Sequence, residues 1–433
     1  MIRADLVIVD AAQLLTMSGP APRTGAALRD LAIIEGGCLA VKDGRIVFAG
    51  TRDEFEAQVA TDQADEVIDA GGQVVMPGFV DAHTHLPFAG SREHEFARRL
   101  AGATYQEIAQ QGGGIMSTVK ATRVAADEEL LDTILTRMDR MMLEGITTCE
   151  AKSGYGLTLE HELRLLRLLK QAGRQHPLGI AATFLGAHTV PAEHRADRDA
   201  YLNLVIDDMI PAVAAGGLAE FCDVFCEEGV FTVAEARRVL TAGRKAGLRP
   251  RIHADQLTPF GGAELAAELK AASADHLDHA SDEGIRQMAR AGVPAVLLPG
   301  ATFCMMQREY APARKLIDLG VAPVVATDLN PGTCNVESMQ LMIALACLNM
   351  GMLVEEAISA ATINAAVTIG RNGTTGSLEA GKAADILVLD IPNYLHLAYR
   401  PGTNHVTVVI KDGEVVARDG RLLYEEDSLE ACD

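Results

Sequence analysis

Val74-Val75-Met76-Pro77-Gly78-Phe79-Val80-Asp81-Ala82-His83-Thr84-His85 is the stretch from which the fold can be read. Its apolar half reads as a buried strand, a short hydrophobic run ending in polar residues. Side chains alternate faces along a strand, so His83 and His85 project the same way. Two imidazoles at one strand end can grip one metal ion. A single histidine there is more often a hydrogen-bonded core residue. A His-x-His pair, followed by more histidines at later strand ends, points to metal.

Downstream, the chain alternates strand and helix. Short apolar strands are expected at Phe79–His85, Ile146–Ala151, Ile180–His188, Glu220–Cys226, Pro250–Ala254, Ser273–His276, Pro294–Leu298 and Pro323–Asp328. Helical patterns separate them, among them Leu159–Gln171, Ala234–Ala246 and Gly262–Leu269. Eight strands with intervening helices is the pattern of a (β/α)8 TIM-like barrel, an α/β fold. An open doubly wound sheet is the alternative, but no strand-linked G-x-G-x-x-G supports it.

The two ends of the chain resemble each other. Leu39–Val47 and Val408–Val416 each read as strand–turn–strand, with Asp43-Gly44 and Asp412-Gly413 at the turns. Neither end is long enough to bury a β core alone. The expectation is one small composite β domain from residues 1–77 and 375–433, with the barrel over 78–374.

Composition sets the class. The chain has 433 residues, 48% of them hydrophobic, enough for a large core. A net charge of -21 without a basic run argues against nucleic acid or an anionic membrane as partner. An anionic substrate would need local cations. None of the eight cysteines forms a C-x-x-C pair, so no zinc ribbon is indicated. With no signal-like start and no long uncharged apolar stretch, a cytoplasmic location is expected.

Barrel enzymes carry their chemistry at the C-terminal ends of strands. The polar residues fall there: His83 and His85 on the first, His188 on the third, His253 on the fifth, His276 on the sixth and Asp328 on the eighth. His83, His85, His253 and Asp328 form an N3O donor set with a position left for water. Water held on such a metal is a nucleophile at neutral pH. Asp328 would take its proton and pass it to a leaving nitrogen, with His276 orienting Asp328 or the water. Metal-assisted hydrolysis is the expected reaction class. Lys152 is the nearest candidate for bridging two metals, but the fourth strand has no lysine, so one ion is expected.

These residues resemble the amidohydrolase superfamily. Longer stretches resemble its imidazolonepropionase family: PGFVDAHTHLPFAGSREHEFARRLAGATYQEI (77–108), AKSGYGLTLEHELRLLR (151–167), TFLGAHTVP (183–191), LLPGATF (297–303) and ATDLNPGT (326–333). The resemblance implies hydrolysis of 4-imidazolone-5-propanoate to N-formimino-L-glutamate, with one zinc or iron ion per subunit on the four donors. The partner is then a small anionic substrate. A homodimer is compatible with it.

Arg92, in the first βα loop, suits a bidentate contact with the propanoate. Tyr155, flanked by Gly154 and Gly156, would approach the ligand closely. By the same resemblance His188 would stabilise the developing oxyanion. Asn330, Gly332 and Thr333 would hold substrate or product, and Tyr105 is a further candidate for the carboxylate. Gln256 stands where some family members carry Glu. A glutamine cannot act as a base, so it would polarise the ring or orient water. Gly112-Gly113-Gly114 reads as a flexible turn or lid hinge. Two other readings share the scaffold. A purine or pyrimidine deaminase would use the same donors, and a non-catalytic binding protein would be expected to have lost them.

Overall fold

The computed structural model describes residues 1–61, 64–103, 107–108 and 112–424. By contacts the chain divides into two units. One comprises Met1–Asp81, Asp139–Thr148 and Ser338–Asp433; the other comprises Ala82–Met138 and Cys149–Glu337.

An eight-stranded sheet follows chain order: Phe79–Asp81, Ile146–Lys152, Gly179–Ala187, Phe221–Cys226, Arg249–Ala254, Ser273–His276, Ala295–Leu297 and Pro323–Val325. Every pairing given from the third strand to the eighth is parallel. The ring joins beyond the regular strands. Thr84 bridges Leu329 in parallel, the Asp328 N–H donates to the His83 carbonyl at 3.0 Å, and the His85 N–H donates to the Leu329 carbonyl at 2.9 Å. This is the TIM-like barrel expected from the alternating pattern.

Most strand limits fall within a residue of expectation, and two ends move further. The first and eighth strands were read to His85 and Asp328, but regular pairing stops at Asp81 and Val325. His83, His85 and Asp328 therefore sit on irregular backbone just past the strand ends, whereas His253 lies within the fifth strand. Asp328 has φ 55°, and His276, the last residue of the sixth strand, has φ 75°. Non-glycine residues held at positive φ mark places where the surrounding structure imposes the geometry.

The helices close by local chemistry. Leu159–Gln175 starts at Thr158, whose hydroxyl accepts the His161 N–H, and buries Leu165, Leu166, Leu168 and Leu169. Val233–Lys245 opens with a capping box between Thr232 and Glu235.

The chain ends build a separate sheet. Its order is Arg421–Leu422, Glu414–Arg418, Val406–Lys411, Ile386–Leu389, Val74–Pro77, Leu6–Leu15, Ile33–Lys42 and Arg45–Gly50, with Glu66–Asp69 paired to Leu6–Leu15. The two ends join where Ile386–Leu389 runs antiparallel to Val74–Pro77. Leu39, Val75, Ile386 and Ile410 share its apolar core. Both turns have positive φ at Asp and at Gly, the type I′ geometry that suits a tight hairpin. They also touch: a Cβ on Gly44 would lie 2.6 Å from the Asp412 carbonyl oxygen. Gly44→Ala should therefore destabilise the protein by about 1–3 kcal/mol, read as a lower thermal midpoint. An unchanged midpoint would show that the turns do not constrain each other.

Candidate metal centre and its cavity

His83, His85 and His253 place one donor atom each within 4.8 Å of one another, and His83, His276 and Asp328 do the same. All five residues are buried. Asp328 Oδ1 lies 3.4 Å from His83 Nε2 and 3.5 Å from His85 Nε2. These separations are long for a charged hydrogen bond. They match the edge of a tetrahedron whose centre is about 2.1 Å from each donor, the usual metal–nitrogen distance. His253 Nε2 is buried with no hydrogen-bond partner. A buried polar atom in that state costs about 1–3 kcal/mol, which a cation at the shared centre would relieve. The donors fit a divalent ion.

The imidazoles are held from behind. His83 Nδ1 contacts Asp275 Oδ2 at 2.7 Å, and His253 Nδ1 contacts Asp223 at 3.1 Å. A carboxylate at Nδ1 selects the tautomer whose Nε2 lone pair faces the metal point. For His253 the register helps: it lies beside Phe225 on the neighbouring strand, and Asp223, two residues before Phe225, projects on the same face.

Burial pushes His83, His85 and His276 well below the usual histidine range, so all three are neutral, the state in which an imidazole can bind a metal. Burial raises the Asp328 carboxyl to about 7, against the opposing influence of His253 and its bonds to Thr333 and Asn330.

Beside the metal point lies a cavity of about 660 Å³, including its open mouth. Arg92, Tyr155, His188, Gln256, Asn330 and Thr333 all reach its wall. The Arg92 guanidinium is buried and fixed by Glu95, with Nε and Nη2 at 2.9 and 2.8 Å from one carboxylate oxygen. It also lies against Gly332, where a Cβ would fall 2.1 Å from Nη1. Tyr155 is buried with its ring 5.3 Å from that of His188. Its loop is pinned by Glu162, which accepts the N–H groups of Gly154, Gly156 and Leu157 at 3.1, 2.8 and 2.8 Å.

Three expectations change. His188 Nδ1 lies 2.9 Å from the Gly154 carbonyl, which only accepts, so Nδ1 carries the proton. Burial lowers the ring to about 3, so it stays neutral and its Nε2 accepts a hydrogen bond. It cannot donate to an oxyanion in that state. Asn330 organises its own loop: Oδ1 accepts the Gly332 and Thr333 N–H groups at 2.8 Å, and Nδ2 donates to the Asp328 carbonyl and the Thr333 hydroxyl at 2.7 Å. The Gly332 N–H is thus already engaged, and Gly332 matters as the surface under Arg92. Tyr105 lies outside the described residues.

Sequence reasoning passed over the roles of Asp223, Asp275, Glu95, Glu162 and Asp278. For Asp223 and Asp275 the signal was a charged residue inside an apolar strand. Asp278 lines the cavity, accepts the Thr302 hydroxyl at 2.9 Å, and is raised to about 6 by burial.

With this geometry established, comparison with known proteins places the chain. The model of the amidohydrolase family matches residues 74–416. The chain belongs to that family. It is 53% identical to an imidazolonepropionase of Geobacillus kaustophilus over 96% of this chain and 99% of the relative. It is 51% identical to one of Symbiobacterium thermophilum over 96% and 98%. Within the amidohydrolases, its branch is the imidazolonepropionase family. An adenosine deaminase from Xanthomonas campestris, solved with zinc, has the same fold at a TM-score of 0.73 and 18% identity, over 99% and 97% of the two chains. An atrazine chlorohydrolase from Arthrobacter aurescens TC1, also solved with zinc, gives 0.72 and 16% over 99% of each chain.

Two outcomes are expected here. Gly332→Ala should displace Arg92 and raise KM with little change in metal content; an unchanged KM would detach Arg92 from substrate. In the metal-free protein, the native Asp278 carboxyl is raised above its unfolded value of 3.8. Its contribution to stability is present below pH 4 and is lost as pH rises through about 6. Asp278→Asn should therefore raise the thermal midpoint at pH 8, with the gain vanishing near pH 4. A gain independent of pH would refute that origin.

Proposed function

We propose that the chain hydrolyses the ring amide C–N bond of 4-imidazolone-5-propanoate, giving N-formimino-L-glutamate in histidine degradation. One observation carries this reading: two overlapping three-donor groups, His83/His85/His253 and His83/His276/Asp328, and a buried guanidinium held by Glu95 lie at one cavity. The chain's net charge of -21 repels an anion in general, so the propanoate needs Arg92 in particular.

His83, His85, His253 and Asp328 would hold one zinc or iron ion, which when bound activates water and polarises a carbonyl. Arg92, which lines the cavity with Glu95 beside it, binds the propanoate, and Tyr155 lies on the same wall. His188 Nε2 accepts a ring N–H and so orients the ring. Asp328 takes a proton from the attacking water and delivers it to the ring nitrogen as the C–N bond breaks. Thr333, whose hydroxyl donates to Asp328 Oδ2 at 3.2 Å, steadies that carboxylate. His276 sits at the same centre and orients the water. Gln256 offers hydrogen bonds to the ring and takes no proton.

Charge supports a single ion. Among the described residues, Glu150, Asp223, Asp275 and Asp328 are buried around it with Lys152 and Arg251 as the cations in contact with the set, and one divalent ion would neutralise it. The acidic chain supports a cytoplasmic setting without nucleic acid or membrane partners. Among the described residues no helix is long and apolar enough to cross a membrane. The deaminase reading is not favoured, because a nucleobase has no carboxylate for Arg92 to meet and the relatives near 50% identity are imidazolonepropionases.

The test follows imidazolonepropanoate absorbance before and after chelation, with zinc or iron restored. Metal-dependent loss, with formiminoglutamate appearing, is the expected result; no turnover by folded, metal-loaded protein would overturn the reading. Arg92→Ala should raise KM about 10–100-fold while metal content holds, the value of a charge-assisted hydrogen-bonded contact.

A further inference from the structure

Below the metal point, out of reach of the cavity, lies a layer of buried charge that the reaction does not use. Glu150 and Lys152 share one face of the second strand, Asp223 comes from the fourth, Arg251 from the fifth and Asp275 from the sixth. All five are fully buried. Lys152 Nζ lies 2.8 Å from Glu150, 3.0 Å from Asp223 and 3.8 Å from Asp275. Arg251 Nη2 lies 3.1 Å from Asp275 and donates to the Ala82 carbonyl at 2.7 Å. Of these two cations, Lys152 is the one whose contacts reach both carboxylates backing the metal-point histidines.

Its own position is tied to the same histidines. The Lys152 N–H donates to the Thr84 carbonyl at 3.0 Å, and the Thr84 hydroxyl donates to the Glu150 carbonyl at 2.6 Å. Thr84 is the residue between His83 and His85. Lys152 thus touches the His-x-His segment through its backbone and the two carboxylates through its ammonium.

We propose that Lys152 is a positioning residue for the metal point, acting through Asp223 on His253 and through Asp275 on His83. Holding both carboxylates at once fixes the directions of two Nε2 lone pairs. This rests on the reading of His83, His85, His253 and Asp328 as metal ligands. A cation so near a metal has an opposite effect as bare charge, because it repels the ion. Removing it would tighten metal binding if charge alone mattered and loosen binding if positioning mattered.

The double variant Glu150→Gln/Lys152→Met keeps the layer's net charge while breaking the clamp. Wild type and variant are reloaded with cobalt(II). The dissociation constant is measured by chelator competition, ligand geometry by the visible spectrum, and stability by the metal-free thermal midpoint. The expected result is about 10–100-fold weaker cobalt binding, the usual effect of losing support behind a ligand. A shifted spectrum and an unchanged KM should accompany it. Wild-type affinity with a wild-type spectrum overturns the proposal, even if the midpoint falls, because that pattern is a purely structural role. If the double variant does not fold, Lys152→Gln keeps a donor toward Asp223 and loses the charge. It should bind cobalt more weakly than wild type; equal or tighter binding overturns the proposal. A wild-type chain that takes up no cobalt overturns the ligand reading and this one together.

Discussion

A charge sealed inside a ring of strands must be neutralised where it stands, because taking an ion out of water costs several kcal/mol that only a close partner returns. Here four carboxylates and two cations are packed under and around one point. Burial alone would drive the Lys152 ammonium down, yet Glu150 and Asp223 together outweigh it and hold it above its ordinary range. Asp223 is likewise held low, its burial outweighed by His253 and Lys152. The metal point is the open end of this network. His83 and His253 are backed by carboxylates, burial holds His83 and His85 neutral, and burial raises the Asp328 carboxyl.

The substrate wall obeys a related rule. Loops over strand ends leave backbone N–H groups that need acceptors, and buried polar side chains supply them. Glu162 gathers three N–H groups around Tyr155. Asp255 gathers those of Phe260, Gly261, Gly262 and Ala263 at 2.8–3.1 Å, just after His253. Asn330 does the same after Asp328. Each loop is rigid for a local reason, so the side chains it carries hold their places before a ligand arrives, which favours binding by reducing the ordering cost. Arg92 is treated similarly: Glu95 fixes its plane, and the bare Cα of Gly332 gives it room.

Much of this was legible in the chain. The alternation of short apolar strands with helices gave the barrel, since a period-two pattern broken by a 3.6-residue one leaves few alternatives. The sixth strand, Ser273–His276, and the helix Gly262–Leu269 have the limits expected from the residues alone. The four donors were legible because they stand at strand ends in order, and Arg92 because it follows the His-x-His motif closely. Less legible were the partners of each group. Asp223 and Asp275 lie 30 and 192 residues from the histidines they hold, and no spacing rule links them. The proton position on His188 depends on the Gly154 carbonyl of another strand's loop.

Sequence by itself determined the architecture and the reaction class, and singled out the candidate donors, because hydrophobic periodicity and metal-ligand chemistry are local properties of residue type and order. Tertiary structure decided which lone pair each imidazole presents, that Asn330 binds its own loop, and that Lys152 sits beneath the site. Those outcomes depend on closing the ring of strands. Closure brings residues far apart in the chain within 3 Å in a medium where every unpaired charge or hydrogen-bonding group is costly.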